Sequence, residues 1–220
     1  MNCLPLKNIK AVFFDMDGTV LDTEPIHVRA IADALDNFGI KDEINFLNRC
    51  IGLNATDMKK LYMKEAGSEE EYDKIIGLAE RLANKHKTER GIRVKDGFFM
   101  LSEHLKKIGA KSYIVTSTPR KTVLTDLERA GILGYFTELI CFEDYTKGKP
   151  DPEPYLTALR LSGESADGCV AIEDSTAGLT SAVKAGLRCV LIRDMARISA
   201  VAEELACADL ETLADVIDLM

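Results

Sequence analysis

Short apolar runs recur along the chain: Ile9–Phe14, Ser112–Val115, Glu138–Phe142, Cys169–Ile172 and Cys189–Ile192. Each is continuous rather than alternating, the pattern of parallel strands buried on both faces. Polar or glycine-rich turns follow the runs, and helical spacing follows the turns. Pro119–Ala130 opens on a proline and stops at Gly131, Pro152–Ser162 stops at Gly163, and Ser175–Ala185 opens on a capping serine and stops at Gly186. Strand and helix in alternation predict an α/β fold, a Rossmann-like doubly wound parallel sheet.

One stretch breaks the alternation. Ile26, Ala30, Ile31, Ala34, Leu35 and Phe38 keep helical spacing, and Met58, Leu61 and Tyr62 continue it. Ile75, Ile76, Leu78, Ala79 and Leu82 line a long charged amphipathic helix from about Glu69 to Thr88. Polar turns at Gly39–Asp42, Gly52–Asn54 and Gly67–Ser68 separate the pieces. The pattern predicts a helical insertion over residues 23–90, set into an α/β core made of residues 1–22 and 91–220. The core resumes near Gly91–Val94, and Phe98–Ile108 supplies its next helix.

Composition narrows the class of function. At 220 residues, 46% hydrophobic and 29% charged, the chain can bury an ordinary soluble core. A net charge of −8 argues against a nucleic-acid binder, which usually shows a basic face. No apolar run nears the length of a membrane span, and the opening MNCLPLKNIK has no secretory h-region. The six cysteines include no C-x-x-C pair, and Cys141, Cys169 and Cys189 lie in or beside apolar runs. Reduced thiols in a cytoplasmic protein are the expectation. The oligomeric state is not legible in the pattern, and a monomer is compatible with it.

The carboxyl ends of the strands of an open α/β sheet are where ligands gather. The first run ends on Asp15 and Asp17, within DMDGT. The second ends on Thr116, Ser117 and Thr118, and the third leads to Lys149 in KGKPDPEP. The fourth ends on Glu173 and Asp174. Singly, these are a turn, a strand-end hydroxyl, a loop lysine and a helix-start acid pair. Their order matters more. DMDGT, IVTST, GKPDP and IEDSTAG together resemble the four motifs of the haloacid dehalogenase-like superfamily, over nearly the whole chain. The branch most resembled holds beta-phosphoglucomutase and many sugar-phosphate phosphatases. The insertion resembles that branch's helical cap, which implies a lid hinged near Thr23–Pro25 and Glu89–Val94.

The resemblance implies phosphate-ester chemistry through an aspartyl-phosphate. Asp15 would be the nucleophile. Asp17 would act as acid and then base, and so be the more readily protonated of the pair. A turn through Gly18 would let Asp17 reach over the phosphate. A carboxylate approaching a phosphate meets repulsion of roughly 4 kcal/mol at ~4 Å and an effective dielectric of ~20. A hard divalent cation removes it, and Mg²⁺ suits such oxygen ligands. Asp15 and Asp174 are the expected side-chain ligands. The family adds the Asp17 carbonyl, with Glu173 either a direct ligand or a partner of the ligands. Thr116 would cradle phosphate oxygens with nearby backbone N–H groups, and Lys149 would neutralise charge on Asp15 and the phosphoryl group.

Further candidates for the substrate are Ser117, His27, Asn54 and Arg120. His27 reads equally as a packing residue, and Arg120, with Lys121, as a solvated first-turn charge. Asp17 favours ester hydrolysis over dehalogenation, which needs no acid to protonate a halide. A sugar-phosphate mutase would need cations on the first cap loop for a second phosphate. The matching CIGLNAT, Cys50 to Thr56, carries Ile51 and Ala55 there instead, which favours a phosphatase for a small phosphorylated metabolite. Two other classes compete. Response-regulator receivers lack the insertion and carry their acceptor aspartate on a middle strand. A silent binding relative would not need the full set of Asp15, Asp17, Thr116, Lys149 and Asp174.

Overall fold

The computed structural model describes residues 5–40, 49, 55–65, 67–196 and 198–220. The chain divides into two compact units, Met1–Asp22 with Arg93–Met220, and Thr23–Ile92. The larger unit is built on six parallel strands: β1 (Ala11–Phe14), β2 (Lys111–Val115), β3 (Glu138–Ile140), β4 (Cys169–Glu173), β5 (Arg188–Ile192) and β6 (Ala208–Leu210). Their spatial order is β3-β2-β1-β4-β5-β6. The chain winds outward from β1 through β2 to β3, then crosses to the other side for β4 to β6. The switch of direction therefore lies between β1 and β4, where Phe14 is in register with Ile172. Crevices at such a point are where open α/β sheets hold ligands.

The continuous apolar runs are explained by burial on both faces. Phe13 and Tyr113 face one layer and meet edge-on with ring centroids 5.5 Å apart. Val115, Ile140, Tyr155, Leu179 and Leu191 join them in one core cluster. Phe14 faces the opposite layer and packs edge-on against Phe98 and Phe136. Burying each such ring contributes about 1.5–3 kcal/mol. Cys141, Cys169 and Cys189 are buried thiols that behave as small apolar groups.

In the smaller unit, α1 (Glu24–Asn37), α2 (Ala55–Glu65) and α3 (Glu69–Arg90) follow in order among the described residues. Ser68 caps α3 by accepting from the Glu71 N–H, three glutamates fill its first turn, and Lys87 and Arg90 lie in its last. Its buried stripe of Tyr72, Ile75 and Ala79 packs on Ala34, Leu35 and Tyr62. The core helices are α4 (Phe98–Ile108), α5 (Arg120–Arg129), α6 (Glu153–Ser162), α7 (Thr176–Lys184) and α8 (Ala200–Leu205). Two elements go beyond the sequence reading, α8 and β6. One is six residues long and the other three, too short to show a period. The third strand is shorter than its apolar run, because Phe142–Asp144 turns into a 3-10 helix. Among the described residues, no helix is long and apolar enough to cross a membrane.

Candidate active site

The first strand stops pairing at Phe14, and Asp15 follows with its N–H donated to the Ile172 carbonyl at 2.9 Å. That bond ties the Asp15 backbone to the neighbouring strand and fixes where its carboxylate emerges. Gly18 then takes φ +83°, a left-handed turn that a side chain would strain. The chain doubles back so that the Gly18 N–H meets the Leu21 carbonyl at 2.9 Å. Asp17 is thereby redirected. Its Oδ2 accepts from the Thr118 hydroxyl at 2.8 Å, beyond the end of β2.

Lys149 arrives from the loop before α6 and bridges two acids. Its Nζ donates to Asp15 Oδ1 and to Glu173 Oε1, each at 2.6 Å, and to the Val115 carbonyl at 2.8 Å. Glu173 is fully buried. The same Oε1 accepts from the Tyr155 hydroxyl at 2.6 Å, and Oε2 accepts from Ser175 at 3.3 Å. Three side chains thus fix the orientation of Glu173, and Glu173 helps to fix Lys149. Lys149 also lies 5.3 Å from the centre of the Tyr155 ring, a favourable seat for a cation. Asp174 is buried beside them, and its Oδ1 accepts from Thr19 at 3.4 Å.

Burial pushes the Asp15 carboxyl up to about 8, with Lys149 pulling it down and Glu173 and Asp17 adding to the rise. Burial alone would discharge Lys149, but Asp15 and Glu173 hold its ammonium above the ordinary lysine value. Asp15, Glu173 and Asp174 each bring a carboxylate oxygen to within 4.8 Å of the others, and all three are buried. This buried all-oxygen donor set fits a hard divalent cation, which would reverse the rise at Asp15.

The expected hydroxyls lie at the end of β2. Thr116 is buried, and its Oγ1 accepts from the Thr118 N–H at 3.1 Å. The Tyr145 hydroxyl holds the Thr116 carbonyl at 2.9 Å, and Ser117 is exposed. Arg120 is engaged elsewhere. Its guanidinium donates to the Leu139 carbonyl at 3.0 Å and to Asp144 at 2.5 Å, an ion pair that braces the loop after β3. The structure thus gives it a bracing role beside the loop after β3. His27 stands half-buried in the first turn of α1, in the smaller unit. Asn54 and Cys50–Leu53 lie outside the described residues. Two pairings were not read from the sequence: Thr118, read only as a strand-end hydroxyl, partners Asp17, and Tyr155 partners Glu173. Tyr155 reads as a core aromatic on a helix, and its hydroxyl acquires meaning only through packing.

A parallel sheet whose switch point carries a lysine-clamped carboxylate beside two further acids defines a class of α/β hydrolytic enzymes. The chain belongs to the haloacid dehalogenase-like hydrolases, whose family model matches residues 12–192. It is 32% identical over 201 residues to protein CbbY of Rhodobacter capsulatus, covering 83% of this chain and 85% of that protein. It is 28% identical over 181 residues to a phosphorylated carbohydrates phosphatase of Thermotoga maritima, covering 81% and 82% of the two. The crystal structure of CbbY from Rhodobacter sphaeroides in complex with phosphate superposes with a TM-score of 0.77 at 24% identity, over 94% of this chain and 96% of that one.

Proposed function

We propose that this protein is a Mg²⁺-dependent phosphatase for a small phosphate monoester, a sugar phosphate or a similar metabolite, working through an aspartyl-phosphate on Asp15. The observation that carries the reading is the Lys149 clamp on Asp15 and Glu173, with Asp17 held by Thr118 two residues beyond the nucleophile. The likeness to the Thermotoga maritima enzyme named for phosphorylated carbohydrates supports the substrate class.

In the first half-reaction an Asp15 oxygen attacks phosphorus, the ester P–O bond breaks, and Asp17 gives its proton to the leaving alkoxide. In the second, Asp17 takes a proton from water. The water oxygen attacks phosphorus, the Asp15–phosphorus bond breaks, and inorganic phosphate leaves. Thr116 keeps its own O–H to donate to a phosphoryl oxygen, and Lys149 balances charge on Asp15 throughout. Asp15, Asp174 and the Asp17 carbonyl, with Glu173 directly or through its neighbours, would hold Mg²⁺, which would supply Lewis-acid neutralisation of the phosphate charge.

The test is phosphate release from a panel of sugar phosphates, polyol phosphates, phosphoglycolate, nucleotides and an aryl phosphate, with Mg²⁺ and with EDTA. Release from at least one alkyl ester, lost in EDTA and in Asp15→Asn, is expected. No release from any ester, alongside isomerisation of glucose 1-phosphate with a bisphosphate primer, would show a mutase instead.

A further inference from the structure

The fifth strand also ends in an acid. Asp194 stands two residues past β5, on the same strand-end edge as Asp15 and Asp174. Its side chain is only 8% exposed. One oxygen, Oδ1, takes the Lys95 ammonium at 2.7 Å. The other, Oδ2, is buried, and no hydrogen-bond donor among the described residues reaches it. Leaving such an acceptor unmet costs about 1–3 kcal/mol, more when it is charged. A persistent one therefore points to a group that the protein fold alone does not supply.

The direction of Oδ2 identifies the neighbour. A Cβ built on Gly18 would collide with Asp174 Oδ2 and touch Asp194 Oδ2 at 3.0 Å. Both oxygens crowd the same small space over Gly18, and only a glycine leaves that space open. Asp174 is one of the three clustered carboxylates of the cation site. Protein-bound Mg²⁺ keeps several of its waters, and those waters need acceptors.

We propose that Asp194 is an outer carboxylate of the cation site: its free oxygen accepts from water held by the cation beside Asp174, while its other oxygen is taken by Lys95. The inference rests on the cation reading of Asp15, Glu173 and Asp174, and it adds a residue just past β5 that the four motifs do not include. Asp194 does not touch the phosphate in this scheme. It is a positioning residue, and it acts by raising cation affinity.

The experiment is a titration with Mg²⁺ alone, without substrate, by calorimetry and by the shift in Tm. Asp194→Asn should weaken Mg²⁺ binding about tenfold. Asp194→Ser keeps a hydrogen-bond partner for Lys95 and gives the same readout if the amide variant does not fold. Lys95→Gln retains the carboxylate and should bind Mg²⁺ at least as tightly as the wild type. Unchanged Mg²⁺ affinity in the Asp194 variants, with only a lower Mg²⁺-free Tm, would show a counter-ion for Lys95 and overturn the proposal. So would an equal loss in Lys95→Gln, which marks a general disturbance. Asp174→Asn separates the two readings. If it abolishes binding and Asp194→Asn does not, this inference alone falls. If Asp174→Asn binds as the wild type does, the cation site itself is misassigned.

Discussion

Lys149 is held between two buried carboxylates at equal distance, and each side chain of the trio depends on the others. Replacing it with methionine would leave Asp15 and Glu173 facing each other with no ammonium between them. Breaking a buried pair in this way costs about 3–5 kcal/mol. The urea midpoint of Lys149→Met should fall accordingly in EDTA and recover in part with Mg²⁺, while kcat drops by about 10²–10³. Asp17 makes a different prediction, because the role proposed for it is to carry a proton. Asp17→Ala should lower turnover by about 10²–10⁴ for alkyl phosphates, which need an acid to leave, and by much less for an aryl phosphate. Equal losses with both leaving groups, measured as kcat ratios, would remove the acid role. Lys149 was legible as a candidate because of its place in the motif series, and Asp15, Asp17, Thr116 and Asp174 because each follows an apolar run. Asp194 follows one as well, and the same rule could have flagged it. Thr118 and Tyr155 could be read only as strand-end hydroxyl and core aromatic, since their partners lie 101 and 18 residues away in sequence.

The fourth motif shows how an element is shaped around the chemistry. Ser175 caps α7 through the Gly178 N–H at 3.0 Å, so the helix begins directly after Asp174. A glycine in that first turn costs roughly 1 kcal/mol of helix propensity relative to alanine. The reason it is there is space: a Cβ on Gly178 would overlap the Glu173 carboxylate. That carboxylate cannot swing aside, because Lys149 and Tyr155 hold it. Gly178→Ala should therefore destabilise the protein by about 1–3 kcal/mol despite its better helix propensity, and should also lower activity by displacing Glu173. The urea midpoint and kcat check both halves. A variant as stable as the wild type would mean that the helix shifts freely. The sequence shows this glycine only as a helix-interior residue, because the acid it must clear is placed by tertiary packing. The helices themselves were plain from their caps and glycine stops, whereas the edge strand β6, with Asp209 at its centre, carried no apolar run.

At the scale of the whole molecule, the residues of the proposed chemistry belong to one unit. Asp15, Asp17, Thr116, Lys149, Glu173, Asp174 and Asp194 all lie in Met1–Asp22 and Arg93–Met220. The chain leaves that unit and returns to it at a single point. The Asp22 N–H donates to the Arg93 carbonyl at 2.9 Å, and Leu21 forms an antiparallel bridge with Val94. A short linker can therefore close the gap without stretching the core. Each unit also has its own apolar cluster, so the larger one should retain its buried sheet when the smaller is removed. Replacing residues 24–91 by a few glycines and serines should give a protein that unfolds cooperatively and binds Mg²⁺ with near wild-type affinity, since no carboxylate of the cluster is lost. If the insertion serves only to admit and select the ester, an aryl phosphate should still be hydrolysed while discrimination among sugar phosphates disappears. Circular dichroism melts, Mg²⁺ calorimetry and kcat/KM across the ester panel measure the three outcomes separately. Loss of cooperative unfolding would show that the larger unit depends on the insertion for its fold. Retained folding without Mg²⁺ binding would show that the insertion contributes to the cation site itself.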